Sequence, residues 1–221
     1  MSDINEGFRA GLAGGVIDTA VGVPKSREEM FEFYSFIRRG TLDAESREGR
    51  GGLEFPAGYM FKEPPKWEAD DMTDPVDMLL AELDAVGITH AIINVDDEAA
   101  ARAFRDHPGR FSAQINVDPN EGMDAVRRIV RFHEEFGLKA VGAFPAGLTP
   151  QVPLNDKKWY PVYAKCVELG IAFCSTVGVP GPRLPFACQD VALVDEVCWF
   201  FPELTFVMRH GAEPWADLAV K

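Results

Sequence analysis

Residues Leu204-Thr-Phe-Val-Met-Arg-His210-Gly-Ala-Glu-Pro-Trp215 read as a short apolar run that ends in histidine and glycine and then opens a helix. The pattern predicts a strand followed by a helix, with an imidazole at the strand's C-terminal end, where (β/α) barrels collect their chemistry. The other histidines stand elsewhere: His90 opens a strand, His107 lies in a His-Pro-Gly turn, and His133 sits on a helix among charged residues. His210 is therefore the first candidate for an acid/base centre.

Working outward, strand and helix patterns alternate along the chain, as a parallel sheet with crossover helices requires. Strands are expected at 15–23, 88–95, 111–117, 138–144, 171–177 and 204–209. Between them, Asp74, Pro75 and the stripe Val76, Leu79, Leu80, Leu83 predict a capped helix closed by Gly87. A short helix runs from about Glu98 to Phe104. Another, capped by Asn120, carries Met123, Val126, Val130 and His133 and stops at Gly137. Two more are expected over about 157–169 and 190–201. The fold class is α/β, a (β/α) TIM-type barrel holding six of eight βα units, with strands seven and eight absent. Either the chain is truncated, or the sheet stays open and a partner covers its edge.

The reading is of a single domain over 1–221, interrupted by an insertion at about 24–73 that exceeds ordinary βα loops. There Ser26 and Glu29 form a capping box before the stripe Met30, Phe33, Tyr34, Ile37. Phe55, Tyr59 and Phe61 read as aromatic anchors of a lid or a subunit contact. With 22 basic against 35 acidic residues the formal charge is −13, so no basic patch serves nucleic acid or an anionic membrane. No apolar run approaches the ~20 residues of a membrane span. A cytoplasmic protein with reduced thiols at Cys166, Cys174, Cys188 and Cys198 is expected, forming a homo-oligomer and acting on a small, anionic molecule.

Several stretches carry a family likeness: Glu168-Leu-Gly-Ile-Ala-Phe-Cys-Ser-Thr-Val-Gly-Val-Pro-Gly-Pro182, Phe201-Pro-Glu-Leu-Thr-Phe-Val-Met-Arg-His-Gly211, Pro108-Gly-Arg-Phe-Ser-Ala-Gln-Ile-Asn-Val-Asp-Pro119 and Leu154-Asn-Asp-Lys-Lys-Trp-Tyr-Pro-Val-Tyr-Ala164. Collinear over most of 15–215, they resemble the amidohydrolase-related family that includes aminocarboxymuconate semialdehyde decarboxylase. The resemblance implies a barrel of the metal-dependent hydrolase type and a strand-one Asp-x-His-x-His that holds a divalent ion. Here that stretch reads Asp18-Thr19-Ala20-Val21-Gly22, and Val179 stands at the strand-five histidine. The metal motif is lost. What remains is His210, which the resemblance assigns to orienting and deprotonating the attacking water.

Two readings stand beside each candidate. His210 is a general base, or it fixes the turn by hydrogen-bonding loop carbonyls. Arg209 clamps a substrate carboxylate, or it pairs with Glu213 or a strand-end aspartate. Asn94 with Asp96, and Asn116 with Asp118, repeat one Ile-Asn-Val-Asp tetrapeptide at two strand ends. They either bind substrate at the barrel mouth or cap helices and turns. Phe144 ends the fourth strand as a further substrate-binding candidate, and Asp18 is a second catalytic candidate expected inside the barrel.

Three functions follow. One is a metal-independent hydrolase or decarboxylase of a small carboxylated substrate with His210 as base and no cofactor. Another is an inactive paralogue that binds ligand or pairs with an active subunit. The third is a metal enzyme with relocated ligands, such as His210 with Asp96 or Asp118. Because Ala20, Gly22 and Val179 bear no donor atoms, purified protein should carry no stoichiometric zinc, manganese or iron. Elemental analysis finding one tightly held metal per chain would instead establish relocated ligands.

Overall fold

A computed structural model describes residues 15–26, 29, 32, 74–181 and 184–220. The strands are β1 (Val16–Val21), β2 (Ile88–Asn94), β3 (Phe111–Asn116), β4 (Ala140–Ala143), β5 (Ala172–Thr176) and β6 (Phe206–Arg209). The helices between and after them are α1 (Pro75–Ala85), α2 (Glu98–Asp106), α3 (Met123–Phe136), α4 (Tyr160–Leu169), α5 (Ala192–Phe200) and α6 (Ala216–Ala219). Strand order in the sheet follows sequence order. This is the α/β arrangement of a (β/α) barrel, with six of its strands in this chain. Two compact units divide the chain, residues 1–24 with 71–114 and residues 25–70 with 115–221.

In the first unit, helix α1 starts because Asp74 caps it: its Oδ1 accepts from the Val76 amide at 2.8 Å, and Pro75 needs no donor in the first turn. Val76, Leu79 and Leu83 then recur at helical spacing and are buried. Full burial of each such side chain stabilises by about 1.5–3 kcal/mol. Strand β2 pairs with β3 in register Ala91 to Phe111 through Asn94 to Gln114. Ala91 and Ile93 alternate onto the buried face, so His90, Ile92 and Asn94 lie on the other. His90 is fully engaged there, Nδ1 at 3.0 Å from the Gly109 carbonyl and Nε2 at 2.9 Å from Ser112 Oγ. It is a structural histidine.

The second unit is built around β5. Phe173 is fully buried and meets Tyr163 edge-on at 4.8 Å and Trp159 at 5.5 Å between ring centroids. The two polar tips are satisfied: Tyr163 Oη donates to the Leu154 carbonyl at 2.6 Å and Trp159 Nε1 to that of Val152 at 3.3 Å. The Leu154 to Ala164 stretch therefore serves as core. Cys166, Cys174, Cys188 and Cys198 are free thiols, the first three buried, and burial pushes Cys166 up to about 12.

Several elements differ from expectation. Asn120 does not cap α3; Asp118 caps a 3-10 turn over Pro119–Glu121, and α3 begins after Gly122, whose φ of 58° breaks the path. Its buried residues are Ala125, Val126, Ile129 and Phe136, while Met123 is exposed. The larger apolar residues at 123 and 130 suggested a different face; the buried face instead runs through Ala125. The capping box is present, with Ser26 N donating to Glu29 Oε2 at 2.7 Å and Glu29 N to Ser26 Oγ at 3.2 Å. Phe55, Tyr59 and Phe61 lie outside the described residues. No helix among those described is long and apolar enough to cross a membrane.

The Arg102 guanidinium, 2.6 Å from Asp74, together with the Val76 amide holds the Asp74 carboxyl at about 2. A carboxyl with a depressed folded pKa adds stability that is present above its unfolded value near 4 and is lost as pH falls toward 2. Asp74→Asn should thus be less stable than wild type at pH 7, by a small margin because the pair is exposed. Melting curves of the two proteins should converge between pH 4 and pH 2.

Candidate active site at the strand ends

Strand β6 delivers Arg209 and His210 to its C-terminal end, Arg209 half-buried and His210 exposed. Three consecutive residues there have left-handed backbone, His210 at φ 61°, Gly211 at 63° and Ala212 at 56°. Two are not glycine, and each such residue costs on the order of 1–3 kcal/mol unless its surroundings over-determine it. The surroundings do. Ala212 is fully buried, and the Glu213 carbonyl accepts from the Val179 amide at 2.9 Å. The neighbouring Gly178, at φ 95°, must lack a side chain because a Cβ there would collide with the Glu213 carbonyl and lie 2.8 Å from the Ala212 carbonyl carbon.

Gln189 holds this assembly from behind. Its side chain is fully buried, with Oε1 accepting from the Ala146 amide at 3.0 Å and Nε2 donating to the Gly178 carbonyl at 2.8 Å. The Gly178 amide in turn donates to the Gln189 carbonyl at 2.8 Å. One amide side chain therefore joins the loops after β4 and β5, and the second of these is bonded to the turn that carries His210.

A second convergence lies within the same unit. In the parallel ladder Gly142 pairs with Cys174, and Cys174 with Val207, two residues before Arg209. Alternation puts Gly142, Cys174, Val207 and Arg209 on one face, opposite Phe173. Arg209 reaches back along that face. A Cβ on Gly142 would lie 3.4 Å from Arg209 Nη1 and collide with Asn116 Oδ1. Burial pushes the Cys174 thiol up, with Arg209 opposing the shift.

The remaining candidates are placed as follows. Asp118 spends one carboxylate oxygen on the Asn120 amide, at 2.8 Å, as a cap. Asp97, not Asp96, caps α2, through the Ala100 amide at 3.1 Å. Asp18 is half-buried and accepts from the Ala20 amide at 2.9 Å, at a bulge that shifts the register between Asp18 and Val21. The Oδ1 of Asn94 is buried with no hydrogen-bond partner, beside the buried Gln114. Phe144 follows β4 two residues after Gly142 and is half-buried. The structure thus brings Asn116 and Arg209 together. Sequence reasoning missed Gly142, Cys174 and Gln189; a glycine inside a strand is a sign of close approach, while Gln189 carries no such sign.

A parallel βα fold with histidine closing β6 defines a barrel of the amidohydrolase type. The chain belongs to the amidohydrolase family, whose description matches residues 36–220. Its fold is similar to that of 5-carboxyvanillate decarboxylase from Novosphingobium aromaticivorans, solved with manganese and a nitrobenzoic acid, at 19% identity and TM-score 0.61 over 90% of this chain and 65% of that one. It is also similar to an uncharacterised TIM-barrel protein from Bordetella bronchiseptica (19% identity, TM-score 0.60, 93% of this chain and 70% of that one). A third likeness is to 4-oxalomesaconate hydratase from Rhodopseudomonas palustris (18%, 0.54, 89% and 63%). The chain therefore spans about two thirds of the length of these proteins. No curated protein matches.

The described residues do not group around a divalent ion of the kind in the manganese-bound neighbour. Ala20 and Gly22 carry no donor, and among the described residues no three His, Cys, Asp or Glu side chains cluster as a metal site would need. The face shared by β4, β5 and β6 carries the guanidinium of Arg209. The loop staple is testable. Gln189→Leu leaves the Ala146 amide and the Gly178 carbonyl without partners, which should cost about 1–3 kcal/mol for each group. Urea denaturation should show the loss, and Gln189→Glu at pH 7 should recover none of the bond to Gly178, since a carboxylate cannot donate.

Proposed function

We propose that the protein is an amidohydrolase-type enzyme that hydrolyses or decarboxylates a small carboxylated substrate, with His210 as general base. The observation that carries this reading is the placement of His210: exposed at the C-terminal end of β6, adjacent to Arg209, on left-handed backbone that the Gly178 and Ala212 contacts hold in place. In hydrolysis the neutral imidazole takes the proton of the attacking water, and the carbonyl must itself be activated, as in a lactone, because a guanidinium polarises less than a divalent ion. In decarboxylation the imidazolium gives its proton to the carbon that carbon dioxide leaves. Arg209 takes the substrate's anionic group and so sets its distance from His210. The protein acts in the cytoplasm as a homo-oligomer.

A second reading, an inactive paralogue that binds ligand or partners an active subunit, draws on Ala20 and Gly22, which carry no donor atoms and stand where the resemblance would place imidazoles. Kinetics separate the two. Against a panel of lactones and aromatic carboxylic acids, His210→Ala should lower kcat by about 10²–10⁴ with little change in KM. Arg209→Lys should mainly raise KM, since an ammonium cannot reproduce the guanidinium fork. Absence of turnover in the wild type, with ligand binding that survives His210→Ala, would establish the inactive paralogue.

A further inference from the structure

Helix α4 lies between α3 and α5 in the second unit, and the exposed sides of its two neighbours carry opposite charges. Just before α4, Lys158 Nζ donates to Asn120 Oδ1 at 2.9 Å on the segment that leads into α3. On the other side, Asn155 Nδ2 donates to Glu196 Oε2 of α5 at 2.7 Å, and the Tyr160 ring of α4 lies 5.9 Å from that of Phe200. Arg127 and Arg131 are exposed on α3; Asp195, Glu196 and Trp199 are exposed on α5. The 3-10 turn Lys157–Trp159 runs into α4, and together they expose Lys157, Pro161, Ala164 and Glu168. Spaced at i, i+4, i+7 and i+11, these four form one stripe, positive at its start, negative at its end and short-chained between. Glu168 Oε2 pairs with Lys165 of its own helix at 2.5 Å, a contact that a carboxylate can share with a second cation. Trp199 is 83% exposed and Phe200 58%. Large aromatics left outside in this way mark contact surfaces.

We propose that α4, flanked by Arg127 and Arg131 on α3 and by Asp195 and Trp199 on α5, is the two-fold interface of a homodimer. This rests on the reading of the protein as a homo-oligomer and deepens it by naming the surface and its symmetry. The occupant is a second copy because a two-fold contact must meet itself, and this surface does. Turned end for end about an axis between Pro161 and Ala164, the stripe sets Lys157 of each copy against Glu168 of the other, while the short side chains at 161 and 164 let the two helices approach. The same rotation carries the arginines of α3 toward the acidic side of the other copy's α5, where a guanidinium stacks on the Trp199 indole. A partner of one charge sign would leave half of these groups unpaired. The formal charge of −13 on each chain opposes unselective association, so the contact depends on this local pairing of opposite charges.

Sedimentation velocity on the full chain over roughly 1–100 μM tests it, a range that brackets the dissociation constants of moderate dimers. Wild type should sediment as a dimer that dissociates on dilution. Lys157→Glu sets two like-charge pairs across the axis and should raise the dissociation constant at least about tenfold, and Glu168→Lys should do the same. Both changes in one chain exchange the signs and restore the pairing, so the dissociation constant should return toward that of wild type. Damage to α4 would give no such recovery. Trp199→Ser should weaken the dimer at least about tenfold, as loss of a central aromatic anchor does. Far-ultraviolet circular dichroism should be unchanged in every variant, since all of these side chains are exposed. A chain that stays monomeric across the range overturns the proposal and removes the homo-oligomer reading with it, leaving Trp199 to solvent or to a different protein. An oligomer that forms but is unaffected by Lys157→Glu and by Trp199→Ser overturns this interface alone, and the homo-oligomer reading then stands on another surface. The interface is equally overturned if the double exchange recovers nothing of what Lys157→Glu lost.

Discussion

The buried amide of Gln189 is the contact on which the geometry of the strand ends depends. Fully enclosed, it must have both its oxygen and its nitrogen satisfied, and it finds the Ala146 amide and the Gly178 carbonyl. Those two partners lie in the loops that follow β4 and β5, so the requirement to satisfy one side chain holds two loops together. The bond from Val179 to Glu213 then extends the constraint to the turn after β6. His210 sits on that turn with a backbone conformation that few non-glycine residues adopt unaided. The His210 imidazole owes its position to packing and to backbone hydrogen bonds of the neighbouring loops.

The two faces of the second unit divide the work. One face of β5 and β6 is aromatic, with Phe173 and Phe206 at 5.4 Å and Tyr163 and Trp159 closing over them. The other face carries Gly142, Cys174 and Arg209. Because side chains alternate along a strand, the same few residues that anchor the sheet also fix where the guanidinium lies. The dry aromatic face gives rigidity, and the opposite face leaves the Arg209 guanidinium half-buried.

The fold and the described residues carry separate information about a metal. The fold is that of the amidohydrolases, and one structural neighbour was solved with manganese. Yet Ala20 and Gly22 offer no ligand, and Asp18 accepts from the Ala20 amide at a strand bulge. A fold can keep its strand order while the chemistry at its ends changes, because the ladder hydrogen bonds and the helix-facing core do not depend on what the other face carries.

Much of the fold is legible in the sequence. Asp74 with Pro75, the Val76, Leu79, Leu83 stripe, and the Ser26 to Glu29 box are local signals with local causes, and each forms as the spacing implies. The six strands are recovered because apolar runs bounded by glycine and proline have few alternatives. Local signals misled where two partners compete for one segment. Asn120 reads as the cap of α3, but a 3-10 turn capped by Asp118 takes that segment, and α3 starts after Gly122 with no side-chain cap. The site is less legible. Spacing alone singles out His210, Arg209 and Asn116, but the meeting of Asn116 with Arg209 over Gly142 joins residues some 90 positions apart in the chain. Periodicity describes what one segment does with its own faces. The choice of neighbours for a buried amide or a guanidinium belongs to the register of parallel strands, and only the tertiary structure sets that.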